Sequence, residues 1–342
     1  MNVCLKMVVS ACAAVSVSAW VGMGGTGVAA SAEAELVEVR RIWDRAPHNA
    51  FTDLVRFRDR WYCAFREGKG HVSDDGKLRV VSSADTREWT PVALMDWDGG
   101  DVRDAKLSIT GDGRLMLSGA VRFLQPTQGE THQSVAWFSE DGTTWTPPVE
   151  IGDRNLWMWS ATWHKGNGYS IGYSVTSKPF IRLYRTRDGR TWETLVDDAF
   201  PGGTYANETS LVFDGDATCY CLLRRDSHTP TAQLGTAEPP YTEWTWKDLG
   251  VRIGGPKMIQ LPDGRLVAGV RLYDGKVRTA LCWIDAEKGT LREFLTLPSG
   301  GDTSYPGLVW HEGVLRMSYY ASHEGKTSIY LAKVRLEPSP QP

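Results

Sequence analysis

Short apolar runs alternate with polar turns along most of the chain. Lys106–Gly113 ends on Gly-Asp-Gly and leads into Arg114-Leu-Met-Leu117; Met258–Gly264 ends on Pro-Asp-Gly and leads into Arg265-Leu-Val-Ala268. Asp-Gly between two such runs is a strong local signal for a β-hairpin. No stretch sustains a helical period. Units begin near Asn49, Asp104, Trp159, Asn207, Gly255 and Ser304, a spacing of about 40 to 55 residues that suits a propeller blade. The pattern predicts an all-β chain, a six-bladed β-propeller with four-stranded antiparallel blades, and a single propeller domain over residues 33–342. Five or seven blades would also fit the spacing.

A second repeat lies in the turns. Ser83–Trp89, Ser139–Trp145 and Thr186–Trp192 each read Ser/Thr-x-Asp-x-x-x-Trp, with weaker echoes at Tyr241–Trp244 and near Trp283. The hydroxyl and the Asp are expected to hold backbone amides of a tight turn, and the Trp to close it over the blade edge.

Composition narrows the function. A net charge of -3 argues against a nucleic-acid partner, which calls for a strong positive field, while 15 Trp and 35 Gly suit short strands and tight turns. Lys6, the apolar run Met7–Val21 and small residues at Val28-Ala29-Ala30 and Ala32-Glu33-Ala34 read as a signal peptide over residues 1–32. Secretion or export to a periplasm follows, with no membrane span after its removal. Val9–Cys12 resembles a lipoprotein box only faintly. Cys63, Cys219, Cys221 and Cys282 are too scattered for a disulfide scaffold and lack zinc spacing, so buried free thiols are expected. Nothing in the sequence requires a metal or cofactor, and a monomer is expected.

The Asp-containing turns resemble the Asp boxes of the sialidase superfamily, one residue shorter than the commonest form. Gly255–Val267, Asn207-Glu208 followed by Arg224, and Ser304–Val309 also resemble sialidase segments. The resemblance spans nearly all of the chain after residue 32. It implies a six-bladed propeller, a retaining exo-glycosidase acting on a terminal acidic sugar, a nucleophilic Tyr305 and its base Glu208. Two features depart from the family: Asn49–Asp53 carries no Arg where sialidases usually have Arg-Ile-Pro, and the Gly-Pro segment follows Asn207-Glu208 rather than preceding it.

Topology predicts one shared rim. The starts of the inner strands supply Asp53, Asp104 with Lys106, Ser160, Glu208, Lys257 and Tyr305. The returning ends supply Arg66, Arg122, Arg224, Arg271, and Tyr320 with His323. Arginines interleaved with carboxylates suit an anionic sugar, since a guanidinium binds a carboxylate in two places. Tyr305 needs a base, because a phenol with a pKa near 10 is otherwise a poor nucleophile; its bland alternative is a core tyrosine with a bonded hydroxyl. For the acid/base, the loop Gly68–Lys77 offers His71, Asp74 and Asp75, of which the resemblance points to Asp75 or Asp74; Asp104 is the rival. His48, His71, His132 and His323 lie near the rim and read as hydrogen-bonded loop residues. Trp157, Trp159 and Trp163 suit blade packing or sugar stacking. A uronate lyase, a non-catalytic glycan-binding propeller and a glycosidase using Asp and Glu without Tyr remain the alternatives.

Overall fold

A computed structural model describes residues 33–338. The signal peptide expected over Met1–Ala32 lies outside the described residues. Twenty-four strands form six four-stranded sheets. Every strand pair within these sheets is antiparallel. Among the described residues there is no helix, and so none long and apolar enough to cross a membrane.

The inner strands are His48–Phe57, Gly100–Ile109, Leu156–His164, Ala206–Phe213, Ile253–Gln260 and Thr303–His311, which open blades 1 to 6 in that order. Each packs beside the inner strands of the blades before and after it, which closes the ring. Blades 1 to 5 take their four strands consecutively. Blade 6 borrows its outer strand from the start of the chain: Ala34–Trp43 pairs with Ser328–Leu336. This joint ties the two ends of the described chain together within one blade.

Burial explains the residue pattern. Second strands are covered on both faces by neighbouring blades and read as nearly continuous apolar runs, as in Leu115–Val121. Outer strands face water on one side; Ala34–Trp43 alternates exposed and half-buried positions. The core lies between blades, for example where Leu78 and Val80 of blade 1 meet Leu117 and Val135 of blade 2. Each such side chain contributes roughly 1.5–3 kcal/mol by leaving water.

The Asp-containing turns form as their chemistry requires. Thr86 N–H donates to Ser83 Oγ at 2.9 Å and Arg87 N–H to Asp85 Oδ1 at 2.8 Å. The second turn repeats this with Gly142 on Ser139 and Thr143 and Thr144 on Asp141, and the third with Gly189 on Thr186 and Arg190 and Thr191 on Asp188. Trp89 and Trp192 donate their indole N–H to the carbonyls of Thr86 and Gly189. The four cysteines of the described chain are buried and free.

Candidate active site at the rim of the inner strands

Every inner strand carries a β-bulge near its start, where three steps on the inner strand face two on its neighbour. The first bulged residues are Phe51, Asp104, Trp159, Asn207, Gly255 and Tyr305, and the second include Thr52 and Glu208. Four of the first set have left-handed backbone: φ is 60° at Phe51, 54° at Asp104, 54° at Gly255 and 50° at Tyr305. For a non-glycine residue such strain costs about 1–3 kcal/mol and persists where surrounding structure enforces it, often at functional sites. The bulges re-aim side chains from the inner strands, and here they bring chemistry-bearing residues together.

Tyr305 Oη donates to Glu208 Oε1 at 2.6 Å, joining blades 6 and 4. Arg224 Nη1 lies 2.7 Å from Glu208 Oε2 and 2.9 Å from Tyr305 Oη. Gly255 N–H donates to Glu208 Oε2 at 2.8 Å, and the other end of the arginine pairs with Asp226 at 2.9 Å. Arg271 lies over the Tyr305 ring, Cζ to centroid 5.2 Å. Its Nε donates to the Thr303 carbonyl and its Nη2 bonds Tyr320 Oη. Burial drives the Tyr305 phenol well above its ordinary range, and the charge of Glu208 adds to that, against the opposing pull of Arg224 and Arg271. The phenol therefore keeps its proton until a base takes it. Burial works against the charge of Arg224, but the carboxylates of Glu208 and Asp226 outweigh it and hold the guanidinium charged.

Asp104 is buried beside this group. Burial raises its carboxyl above the ordinary range, against the pull of Arg103 and Lys106. Lys106 Nζ stands 4.5 Å from the Trp159 ring centroid and 5.9 Å from that of Tyr305. Burial pulls this amine below its ordinary range, with Asp53 and Asp104 resisting and Lys257 assisting.

The remaining sequence candidates go elsewhere. The Arg66 side chain is fully enclosed and bonds Asp101, the Gly70 carbonyl and Ser73, so its guanidinium secures the loop Gly68–Lys77. Arg122 pairs with exposed Asp74 at 2.6 Å. The four arginines thus fall into two groups, with Arg224 and Arg271 at Tyr305 and Arg66 and Arg122 around Asp101. Asp75 is exposed and caps Lys69 N–H; although burial opposes it, bonds from Ser73 and the backbone hold it below the ordinary carboxylate range. Asp53 is fully buried, accepts the N–H groups of Leu54 and Leu107, and pairs with Lys257 at 3.1 Å. Exposed His323 packs on Tyr330. Trp157 stacks on Tyr173, while Trp159 lies 5.9 Å from Tyr305. Where the usual first-strand arginine is missing, Phe51 sets its ring edge-on to Tyr305 at 5.1 Å.

Sequence reasoning missed Asp226, Arg103 and Asp302. Asp226 follows Arg224 by two positions, a spacing that could have suggested a shared rim. Arg103 stands next to Asp104 but was hidden by the bulge. Asp302 lies just before an inner strand, where no repeat marks it.

Comparison with solved structures agrees with this architecture. The chain superposes on a Dyadobacter fermentans protein of unknown function with a TM-score of 0.79 and 20% identity, covering 89% of this chain and 100% of that one. It superposes on Trypanosoma rangeli sialidase, captured as a covalent intermediate with 2,3-difluorosialic acid, with a TM-score of 0.68 and 12% identity, covering 85% of this chain and 54% of the sialidase. The fold is that of the sialidase-type six-bladed propellers. Penicillium chrysogenum α-L-arabinanase, solved with arabinobiose, shares it at a TM-score of 0.67 and 13% identity, over 87% of this chain and 98% of its own. The resemblance read from the Asp-containing turns thus holds for the fold, and glycoside hydrolases of more than one specificity stand among its neighbours. No protein-family model and no curated protein sequence matches the chain.

Proposed function

We propose that the chain is a secreted, retaining exo-glycoside hydrolase acting on a glycan that ends in an anionic sugar. The observation that carries this reading is the 2.6 Å bond between Tyr305 and Glu208 with Arg224 bridging both. In the first half-reaction Tyr305 Oη attacks the anomeric carbon while its proton passes to Glu208. The glycosidic C–O bond breaks, and Asp104 protonates the departing oxygen. In the second half, Asp104 takes a proton from water, the water oxygen attacks the same carbon, and the tyrosyl–sugar bond breaks as Glu208 returns the proton. Asp104 is preferred over Asp75 because burial raises its carboxyl above the ordinary range, the direction a general acid requires, while Asp75 is held below it. Arg224, Arg271 and Lys106 around Tyr305 are the cations that would face a sugar carboxylate, and a tyrosine avoids the repulsion an attacking carboxylate would meet.

A second reading has an observation of its own. Arg224 is already paired with Glu208 and Asp226, and Arg271 with Asp302. Partial neutralisation suits a neutral sugar, with Asp104 and Glu208 as the working carboxylates. Sialosides, ketodeoxy-sugar glycosides, uronides and neutral arabinosides assayed side by side separate the two. The first reading expects a new reducing end, retained configuration by NMR, and turnover confined to acidic sugars. Turnover of neutral sugars alone favours the second, and an unsaturated ultraviolet-absorbing product would identify a lyase.

A further inference from the structure

We propose that His48, His71 and Asp302 form a binding site for one divalent transition-metal ion of the zinc class at the edge of this rim. The three come from separate places: the first residue of the blade 1 inner strand, the loop Gly68–Lys77, and the turn before the blade 6 inner strand. His71 Nδ1 and His48 Nε2 both approach the same oxygen, Asp302 Oδ2, at 2.6 Å and 3.0 Å. All three candidate ligand atoms lie within 4.8 Å of one another. Metal–nitrogen and metal–oxygen bonds of about 2.0–2.2 Å put tetrahedral ligand atoms roughly 3.3–3.6 Å apart, so slight rotations of these side chains would admit an ion.

The surroundings favour this use. The second carboxylate oxygen, Oδ1, accepts from Tyr320 Oη at 2.7 Å and faces Arg271 Nη2 at 3.3 Å. Those partners fix the carboxylate and leave Oδ2 for the imidazoles, as outer-shell groups do around metal ligands. His48 is buried against Phe51 and Tyr320, and the His71 ring meets Phe51 edge-on at 5.0 Å. Two imidazoles and one carboxylate select zinc, cobalt, nickel or iron over calcium or magnesium, which prefer oxygen alone. Three protein ligands leave a fourth position for water or a ligand oxygen. The ion would also fasten the loop Gly68–Lys77 to the rim, since Arg103 Nη1 already donates to the His71 carbonyl at 3.0 Å.

The test uses the full propeller, stripped with a chelator and titrated with Zn²⁺ by calorimetry and with Co²⁺ by visible absorption. The expected result is one equivalent bound, d–d bands of a nitrogen- and oxygen-ligated ion, and a melting temperature that rises with Zn²⁺. His71→Ala is the first variant, because its ring is half exposed on a loop and the fold does not depend on it; affinity should fall at least about 100-fold, beyond the roughly 10–100-fold that outer-shell losses cause. Asp302→Asn should do the same, and Tyr320→Phe should weaken binding about tenfold. Wild-type protein that binds neither ion more tightly than His71→Ala, or that keeps its affinity in both ligand variants, would overturn the proposal and leave a hydrogen-bonded His–Asp–His chain.

Discussion

Gly255 lies directly beneath the ring of Tyr305. A Cβ built on Gly255 would sit 2.7 Å from Cγ and Cδ2 of that ring, and the glycine has a φ of 54°. Its N–H is also one of the donors that hold Glu208. Gly255→Ala must therefore adopt left-handed backbone at a cost of about 1–2 kcal/mol and push the phenol aside. Displacing a reacting group by about 1 Å can cost on the order of 100-fold in rate. Crowding the buried ring adds about 1–3 kcal/mol, so the variant should lose roughly 2–5 kcal/mol in urea titration and most of kcat/KM.

Arg224 is the second lever. It is nearly buried and pairs with Glu208 and Asp226. Arg224→Met leaves Glu208 without its cation, while Asp226 keeps Arg252 at 3.2 Å; removing one partner of a buried pair costs about 3–5 kcal/mol. Chemical denaturation should show a loss of that order. Arg122→Met breaks a pair with exposed Asp74 and a looser 3.7 Å approach to Asp101, which keeps Arg66 and Arg103, and should cost less than about 1 kcal/mol.

Asp104 and Asp75 should differ in direction as well as size. The folded carboxyl of Asp104 is raised, chiefly by burial. Its contribution to stability is therefore full below the unfolded value of about 3.9 and is lost as pH rises through the folded value. Asp104→Asn should match wild type near pH 4 in thermal melts and melt higher than wild type at neutral pH, while losing about 100- to 10,000-fold in rate. Asp75→Asn, on an exposed cap, should leave the rate within about twofold, since surface changes are usually small. Equal losses in both would remove the reason for preferring Asp104.

Much of this architecture was readable along the chain, for identifiable reasons. Asp-Gly hairpins and Ser/Thr-x-Asp turns act locally, so a propeller of about six blades is legible in the chain, with five or seven also fitting the spacing. Propeller topology sends every inner-strand start, Tyr305 and Glu208 among them, to one rim, and the sialidase resemblance singled out these two as a pair. The destination of an arginine was not readable in the same way. Arg66 and Arg224 occupy similar places in their strands, yet one is enclosed by Asp101 and a loop and the other bridges Tyr305 and Glu208. That difference depends on which acid a neighbouring blade presents. The bulges were also invisible, because one extra residue leaves the apolar pattern almost unchanged. Ala34–Trp43 escaped assignment because an outer strand is half exposed and its partner, Ser328–Leu336, stands at the far end of the chain.

The pH dependence of the Tyr305 phenol offers a probe that needs no substrate. Burial and Glu208 hold it well above its ordinary range. Glu208→Gln removes the neighbouring negative charge while Arg224 and Arg271 remain, so the phenol should ionise at lower pH than in wild type. Difference ultraviolet titration against Tyr305→Phe isolates that one group; an unchanged or higher titration point in Glu208→Gln would mean the two residues are not electrostatically joined.

The most direct test looks for the tyrosyl–sugar bond. Wild-type protein mixed with a fluorinated glycosyl donor matched to its preferred sugar, then digested and mapped by mass spectrometry, should carry one sugar on the peptide containing Tyr305, and Tyr305→Phe should carry none. Labelling of Glu208 or Asp104 instead, or full turnover by Tyr305→Phe, would contradict the assignment of this phenol as the nucleophile.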